Sequence, residues 1–254
     1  MIPAGDRPKQ PIELAMDGGE SCAEIRVGQG ASVTIVDAST SAVHAVNVFL
    51  EPESELFYIC IARTSSLTLR STVGQGASMH WHCTTVGASV GHSLVSTCDG
   101  PDAVSDIDWI FRVRGAERQS VSVRNIFAAR SGGGEITMKG VAEGTGMATC
   151  NGMIEITERG KGTNTYLTQD VLMLDRTAKV DAVPGLEIRT NDVKASHSAT
   201  VSQVTAEDLF YLQSRGIEEA TARAMFVEGF LIDLTERIAD AAVRERIEVA
   251  LQSA

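Results

Sequence analysis

The sequence lacks the features of an exported or membrane-spanning protein. Its first 20 residues contain no apolar run that could serve as a signal peptide, and no later run reaches the roughly 18 apolar residues that a membrane span requires. The cysteines are odd in number, widely spaced and without a C-x-x-C pair, which excludes a disulfide framework. They are Cys22, Cys60, Cys83, Cys98 and Cys150. We therefore predict a cytoplasmic protein with free thiols.

Basic residues and the usual catalytic motifs are also scarce. There are 22 Lys and Arg against 33 Asp and Glu, which gives a formal charge of -11. This balance argues against a nucleic-acid or anionic-membrane partner, since both need a basic surface. The glycine clusters at Gly132–Gly134 and Gly144–Gly146 are not followed by a Lys-Ser/Thr helix, so no nucleotide loop is predicted. No G-x-S-x-G or H-E-x-x-H motif is present, and we predict that the chain is not an enzyme.

Short β-type runs rich in Val, Ile, Thr and Tyr follow one another from Cys22 to about Val204, separated by turn residues. The hexapeptide Val27–Ser32 recurs letter for letter as Val73–Ser78, 46 residues later. Two coils of a β-solenoid, each of about 20 to 25 residues, would give this offset. Two equivalent hairpins of a β-sandwich would give the same repeat, so both architectures are open at this point.

The pattern becomes helical after Val204. Thr205 and Asp208 form a capping-box start, and Gly216 is placed to end a short helix. Apolar residues at 3-4 spacing then predict one long amphipathic helix from Ile217 to Ala241, and a final helix is expected near residues 242–251. We predict three parts: an extended segment at 1–21, a β core at 22–204 and a helical domain at 205–254.

One local group could bind a metal ion. On a strand, His80 and His82 would share one face while Cys83 points to the other. The pattern G-x5-H-x-H resembles the first half of the cupin motif, although Val86 and Gly87 stand where its Glu would follow. A cupin-like metal-dependent enzyme is therefore the alternative function, and ordinary surface histidines are the simpler explanation.

A longer resemblance covers residues 163–237. Its matching segments are Gln169-Asp170 before Leu172-Met173-Leu174, then Pro184–Ile188, Asp192–Lys194 with Ser196-His197 and Ala199-Thr200, and Asp208–Leu212 with Ser214–Ile217. In order and spacing this stretch resembles the C-terminal core of the SufB/SufD family, the scaffold components of the SUF machinery for iron–sulfur cluster assembly.

The resemblance implies a right-handed parallel β-helix core followed by a C-terminal all-α domain. Members pair through their β-helices, as homodimers or with a SufB/SufD paralogue, and dock a SufC-like ABC-type ATPase through the helical domain. The cluster is transient and is assembled at the dimer interface, and no nucleotide is bound by this chain. The implied cluster or iron ligand is His197, with His80, His82 and Cys83 in reserve. The implied ATPase-binding residues are Leu209, Phe210, Tyr211, Arg215 and Gly216.

Two departures from SufB make the chain SufD-like, and a third is a departure from many SufD proteins themselves. Gln169 stands where SufB carries a cysteine, Ser198 follows His197 where SufB has a glutamate, and Ala195 stands where many SufD proteins have a cysteine. The thiolate for a cluster would therefore come from a partner. The family's N-terminal helical domain is also expected to be absent. We predict a non-enzymatic scaffold subunit of a SUF-type assembly complex.

Overall fold

The computed structural model of the chain describes residues 1–87 and 89–253, so Ala88 of the predicted β core and Ala254 of the predicted helical domain lie outside it. The described strands form two sheets, and every pairing in them is parallel. Successive strands alternate between the sheets, so that the chain winds as a parallel β-helix. The predicted mainly β fold with C-terminal helices is confirmed.

The odd-numbered strands form the first sheet, here called the odd sheet, in sequence order. They are β1 (Ile12–Leu14), β3 (Ser32–Asp37), β5 (Glu55–Ala62), β7 (Ser78–Thr85), β9 (Val104–Val113), β11 (Gly133–Ala142), β13 (Asn164–Met173) and β15 (Lys194–Gln203). The even sheet likewise follows sequence order. It contains β2 (Glu20–Val27), β4 (Val43–Leu50), β6 (Ser66–Val73), β8 (Ser89–Cys98), β10 (Arg118–Phe127), β12 (Met147–Ile156) and β14 (Lys179–Ile188).

The exact repeat in the sequence reflects two turns of this helix. Val27 is in register with Leu50, which is in register with Val73. The following corner holds Gly30 at φ +66° and Gly76 at φ +60°, a left-handed conformation in which glycine carries no steric cost. Glu53 occupies the same corner of the intervening coil at φ +59°. The solenoid interpretation is therefore correct, and the sandwich is wrong.

The same pairing rules out a cupin-like architecture. A cupin is a double-sheet jelly roll with antiparallel strands, whereas β7, which carries His80 and His82, pairs in parallel with both β5 and β9. The cupin-like alternative is therefore wrong. The local H-x-H spacing is the ordinary alternation of a strand, in which every second side chain faces outward.

Inward side chains stack in columns along the axis of the β-helix. One column of the odd sheet consists of fully buried residues: Tyr58, Trp81, Ile107, Ile136 and Leu167. Since paired residues of parallel strands point to the same side, each coil places its apolar residue directly on the previous one. The core is thus a continuous apolar stack.

A polar network is buried near the start of this stack. His44 Nε2 lies 3.0 Å from Asp37 Oδ2, and Tyr58 donates its hydroxyl to the same oxygen at 2.5 Å. Ser39 donates to Asp37 Oδ1 from both its hydroxyl and its amide. Burial alone would raise the pKa of Asp37, but these hydrogen bonds outweigh it and the pKa is lowered. The carboxylate is therefore held ionised inside the β-helix.

The helices are α1 (Ala206–Ser214), α2 (Glu219–Thr235) and α3 (Ala241–Ser253). The predicted capping box is confirmed, since the Thr205 hydroxyl accepts from the Asp208 amide and the Asp208 carboxylate accepts from the Thr205 amide. Gly216 follows α1 at φ +86°. One predicted boundary is wrong: α2 ends at Thr235, because Asp240 accepts hydrogen bonds from the first amides of α3 and starts a separate helix.

The last two helices pack on the outer face of the odd sheet. That face carries Ile59, Ile110 and Leu172, which form one buried cluster with Leu231 and Leu234 of α2. α3 adds further buried residues, namely Val243, Ile247, Ala250 and Leu251. The helical segment is therefore fastened to the β-helix by apolar contact. As a division into separate domains, the boundaries at residues 21 and 204 stay a prediction.

The N-terminal segment extends the β-helix by part of a coil. Ile2 forms a parallel bridge to Val27 at the end of β2, and β1 pairs with β3. Gly5 has the same left-handed conformation, at φ +70°, as the corner residues Gly30, Glu53 and Gly76. Its amide donates to the Gln29 carbonyl. The segment before β2 thus continues both sheets.

Candidate functional site

The β-helix ends at an open coil formed by β14 and β15. Each is the last strand of its sheet, and its outer edge has no strand partner among the described residues. Pro184 lies in β14, where its missing amide hydrogen is tolerated because one edge of the strand is unpaired. Ile188 and Val201 are in register with buried residues of the preceding coil but are 41% and 48% exposed. This end therefore presents core-type side chains and unpaired backbone groups.

His197 lies on β15, in register with Leu167 of β13. Leu167 is completely buried and belongs to the inward column described above. His197 therefore continues that column, yet it is exposed because no further coil covers it. An imidazole in this position can offer a nitrogen lone pair to a metal ion that meets the end of the β-helix. The predicted ligand is thus an exposed side chain at the open end of the β-helix.

Gln169 lies one coil before the open end, in register with Ala199. Its side chain is fully buried, and its amide nitrogen donates to the Cys150 carbonyl at 3.2 Å. Its Oε1 has no hydrogen-bond partner within the described part of the chain. The residue at the family's cysteine position is therefore an interior amide beneath the open end.

Thiolates are absent from this end. β14 and β15 contain no cysteine. The nearest thiol, Cys150, is buried in β12, and burial together with the charge of Asp181 raises its pKa to about 11. Cys150 is therefore a neutral core side chain at physiological pH.

A second surface is formed by α1. Phe210 and Tyr211 are 68% and 60% exposed, and the Arg215 guanidinium lies 5.5 Å from the Tyr211 ring centroid. Leu209 turns inward and packs against the buried cluster beneath the helices. Gly216 supplies the left-handed residue that ends the helix. Of the five predicted partner-binding residues, two aromatic rings and one guanidinium are thus displayed together, and the other two shape the helix.

His80, His82 and Cys83 do not form one ligand group. His80 and His82 point outward from β7, whereas Cys83 points inward and is 1% exposed. Burial, followed by the nearby charges of Asp37 and Asp108, raises the pKa of Cys83 well above its ordinary value. Across residues 1–87 and 89–253, no group of three or more His, Cys, Asp or Glu could hold a metal ion.

The outward histidines instead contact acidic residues of the next coil. His80 Nδ1 lies 3.1 Å from Asp106 Oδ2, and His82 Nδ1 lies 3.2 Å from Asp108 Oδ2. Asp108 also accepts from Arg237, in the connection between α2 and α3, at 2.7 Å. Sequence reasoning missed these partners, because His80 and Asp106 are 26 residues apart, which is longer than the coil that the exact repeat implies.

No helix in the described ranges is long and apolar enough to cross a membrane. The geometry defines a parallel β-helix with an open C-terminal end, a metal-competent histidine at that end and helices packed on one sheet. A family model described as the SUF system FeS cluster assembly SufBD core domain matches residues 20–230. The chain belongs to this SufBD family.

Curated relatives agree with that assignment. An iron–sulfur cluster assembly SufBD family protein of Mycobacterium leprae is 26% identical over 216 residues, which cover 83% of this chain and 25% of that protein. A family member from Staphylococcus epidermidis is 27% identical over 231 residues, 83% of this chain and 48% of that protein. The Escherichia coli iron–sulfur cluster assembly protein SufD is 36% identical over 109 residues, 43% of this chain and 26% of SufD. The matched regions thus span between a quarter and a half of these relatives.

Proposed function

We propose that the chain is a SufD-like, non-enzymatic scaffold subunit of a cytoplasmic SUF-type iron–sulfur cluster assembly complex. The observation that carries the proposal is the position of His197, which ends an inward column at the open coil of the β-helix. A histidine there would meet a partner molecule that covers the coil. Membership in the SufBD family supports the nature of the cargo, a nascent iron–sulfur cluster.

The open coil is the surface through which we expect the chain to pair with a second β-helix. Unpaired strand edges are templates for pairing with another chain, and the exposed Ile188 and Val201 would be buried in such a contact. The partner is a second copy or a SufB/SufD-like paralogue. The absence of cysteine from β14 and β15 favours a paralogue that contributes a thiolate beside His197.

α1 is the surface that we expect to dock a SufC-like ABC-type ATPase. Exposed aromatic side chains and arginine are the residue types that dominate protein interfaces, and Phe210, Tyr211 and Arg215 display both. α1 also begins three residues after β15 ends. A displacement of α1 by a closing ATPase dimer would therefore be transmitted directly to the strand that carries His197.

The docking proposal is tested by co-expression with an ABC-type ATPase of the SUF system and recovery on a tag carried by this chain. Deleting residues 205–254 is a poor test, because it would uncover the apolar sheet face around Ile59, Ile110 and Leu172. The double variant Phe210→Ala/Tyr211→Ala keeps that contact intact. Loss of the ATPase from this variant is expected, and full recovery would show that α1 is not the docking surface.

A further inference from the structure

A histidine and a carboxylate face each other on the outer surface of the odd sheet, away from the open coil. His80 Nε2 lies 3.9 Å from Glu55 Oε1, across the neighbouring strands β7 and β5. Bonds from a first-row metal ion to imidazole nitrogen and carboxylate oxygen are about 2.0 to 2.2 Å long, so two donors of a tetrahedral site lie roughly 3.3 to 3.5 Å apart. The two atoms therefore need to approach by only about half an ångström to bind one metal ion.

Both donors are oriented by neighbours. The other ring nitrogen of His80 lies 3.1 Å from Asp106 Oδ2, which leaves Nε2 as the free lone pair. This is the carboxylate–histidine arrangement found behind metal-bound imidazoles. Asp106 is in turn held by the Glu135 amide, which donates to Oδ1 at 3.0 Å.

The rest of the surroundings limit the motion of the two donors. The Phe57 ring stacks on His80 with centroids 4.6 Å apart and planes 14° apart. The Ser32 hydroxyl donates to Glu55 Oε2 at 2.6 Å, which turns Oε1 toward the imidazole. A side-chain pair that is ordered on both sides loses little conformational freedom when it binds an ion.

The site is open to solvent on one side. An open groove of about 800 Å³ begins at Asp106 and Glu135 and runs over Gly132–Gly134. Glu55 is 42% exposed and His80 is 21% exposed. Water can therefore reach the pair and complete the coordination of a bound ion. Two protein ligands plus water make an exchangeable site, which is consistent with the lack of any three-residue metal cluster in the described ranges.

We propose that His80 and Glu55 bind a divalent first-row transition metal ion, with Asp106 orienting the imidazole. The site is separate from His197 and does not depend on the scaffold role. His82, two residues along the same face, is the matched control, because its Nδ1 faces Asp108 and Asp108 is bridged to Arg237 under the helices.

Equilibrium dialysis against Zn²⁺, with the bound metal counted, tests the proposal on the full chain. All variants carry Cys22→Ser, because that thiol is exposed and would bind zinc itself. The parent is expected to hold one equivalent that His80→Ala and Glu55→Gln lose, while His82→Ala keeps it. Asp106→Asn is expected to weaken binding about 10- to 100-fold without changing stoichiometry.

Two results would overturn the proposal. One is unchanged zinc uptake in both His80→Ala and Glu55→Gln, with thermal unfolding like that of the parent. The other is loss of the equivalent in His82→Ala alone, which would place the metal elsewhere. Glu55→Gln keeps the size and hydrogen-bonding shape of the side chain, so its result stands even if His80→Ala folds poorly.

Discussion

His197 lies directly over Leu167, in the register of two neighbouring parallel strands, and the two side chains belong to the same inward column. Leu167 is completely buried, whereas His197 is exposed. The difference arises from position alone, because β15 is the final strand of its sheet. A polar ligand can therefore occupy a core-type position at the end of the β-helix without the cost of burying it.

This relationship predicts that two neighbouring substitutions change the free energy of unfolding by very different amounts. Leu167→Ala leaves a cavity in a closed part of the stack and should lower the free energy of unfolding by about 2 to 5 kcal/mol. His197→Ala removes an exposed side chain and should change it by less than about 0.5 kcal/mol. Urea unfolding of both variants measures the difference. Equal destabilisation would mean that His197 is packed in the isolated chain.

The exposed aromatic residues of α1 should matter for binding and not for folding. Phe210→Ala/Tyr211→Ala is expected to weaken ATPase binding by about 10-fold or more, because interface energy is concentrated in a few aromatic and arginine side chains. Isothermal titration calorimetry measures the affinity. Val249→Ala, which truncates a residue of α3 that is 55% exposed, is the control and should bind normally. Similar losses in both variants would argue against a specific role for α1.

Gly140 tests the register of the odd sheet. A Cβ at this position would lie 2.0 Å from two ring carbons of Phe111, the residue paired with it on β9. Gly140→Ala should therefore destabilise the chain by about 1 to 3 kcal/mol through overpacking. Adding Phe111→Leu should recover part of that loss, so that the double variant is more stable than the sum of the single effects. Thermal or urea unfolding of the four proteins gives the coupling. If the effects of the two substitutions on the free energy of unfolding were strictly additive, the predicted contact between positions 140 and 111 would be contradicted.

His92 should make the stability depend on pH in mildly acidic solution. Burial lowers the pKa of His92 below 6.5, even though the Thr64 carbonyl favours the protonated ring. The unfolded chain then binds the proton more readily than the folded chain. The contribution of neutral His92 to the free energy of unfolding is therefore fully present above about pH 6.5 and is lost as the pH falls toward the lowered pKa. His92→Gln should flatten this part of the profile, as measured by urea unfolding at several pH values. An unchanged profile would show that other groups cause the dependence.

The periodic features of the fold could be predicted from the sequence. The repeated hexapeptide marks equivalent corners two coils apart because Gly30 and Gly76 take the same left-handed conformation. The capping box at Thr205 and the glycine stop at Gly216 are local hydrogen-bond and backbone rules, and both hold. The resemblance singles out His197 as a ligand, and the structure puts this residue on the last strand of the odd sheet.

Contacts between coils are harder to predict from the sequence, because the coil length changes along the chain. Ser32 and Glu55 are neighbours 23 residues apart, whereas Met138 and Gln169 are neighbours 31 residues apart. A single period therefore fails to align His80 with Asp106. The end of α2 is predicted at Ala241 instead of Thr235 because the apolar spacing continues through the turn that Asp240 caps.

Cluster formation with and without His197 tests the central proposal most directly. The chain is co-expressed anaerobically with a SUF-type ATPase and a SufB-like paralogue, and iron and sulfide are counted per purified complex alongside the visible absorption of the cluster. His197→Ala should assemble as the parent does but retain much less cluster, while Val249→Ala on the exposed face of α3, outside both proposed surfaces, should retain the parental amount. A complex that carries the full parental cluster content with His197→Ala would contradict the account.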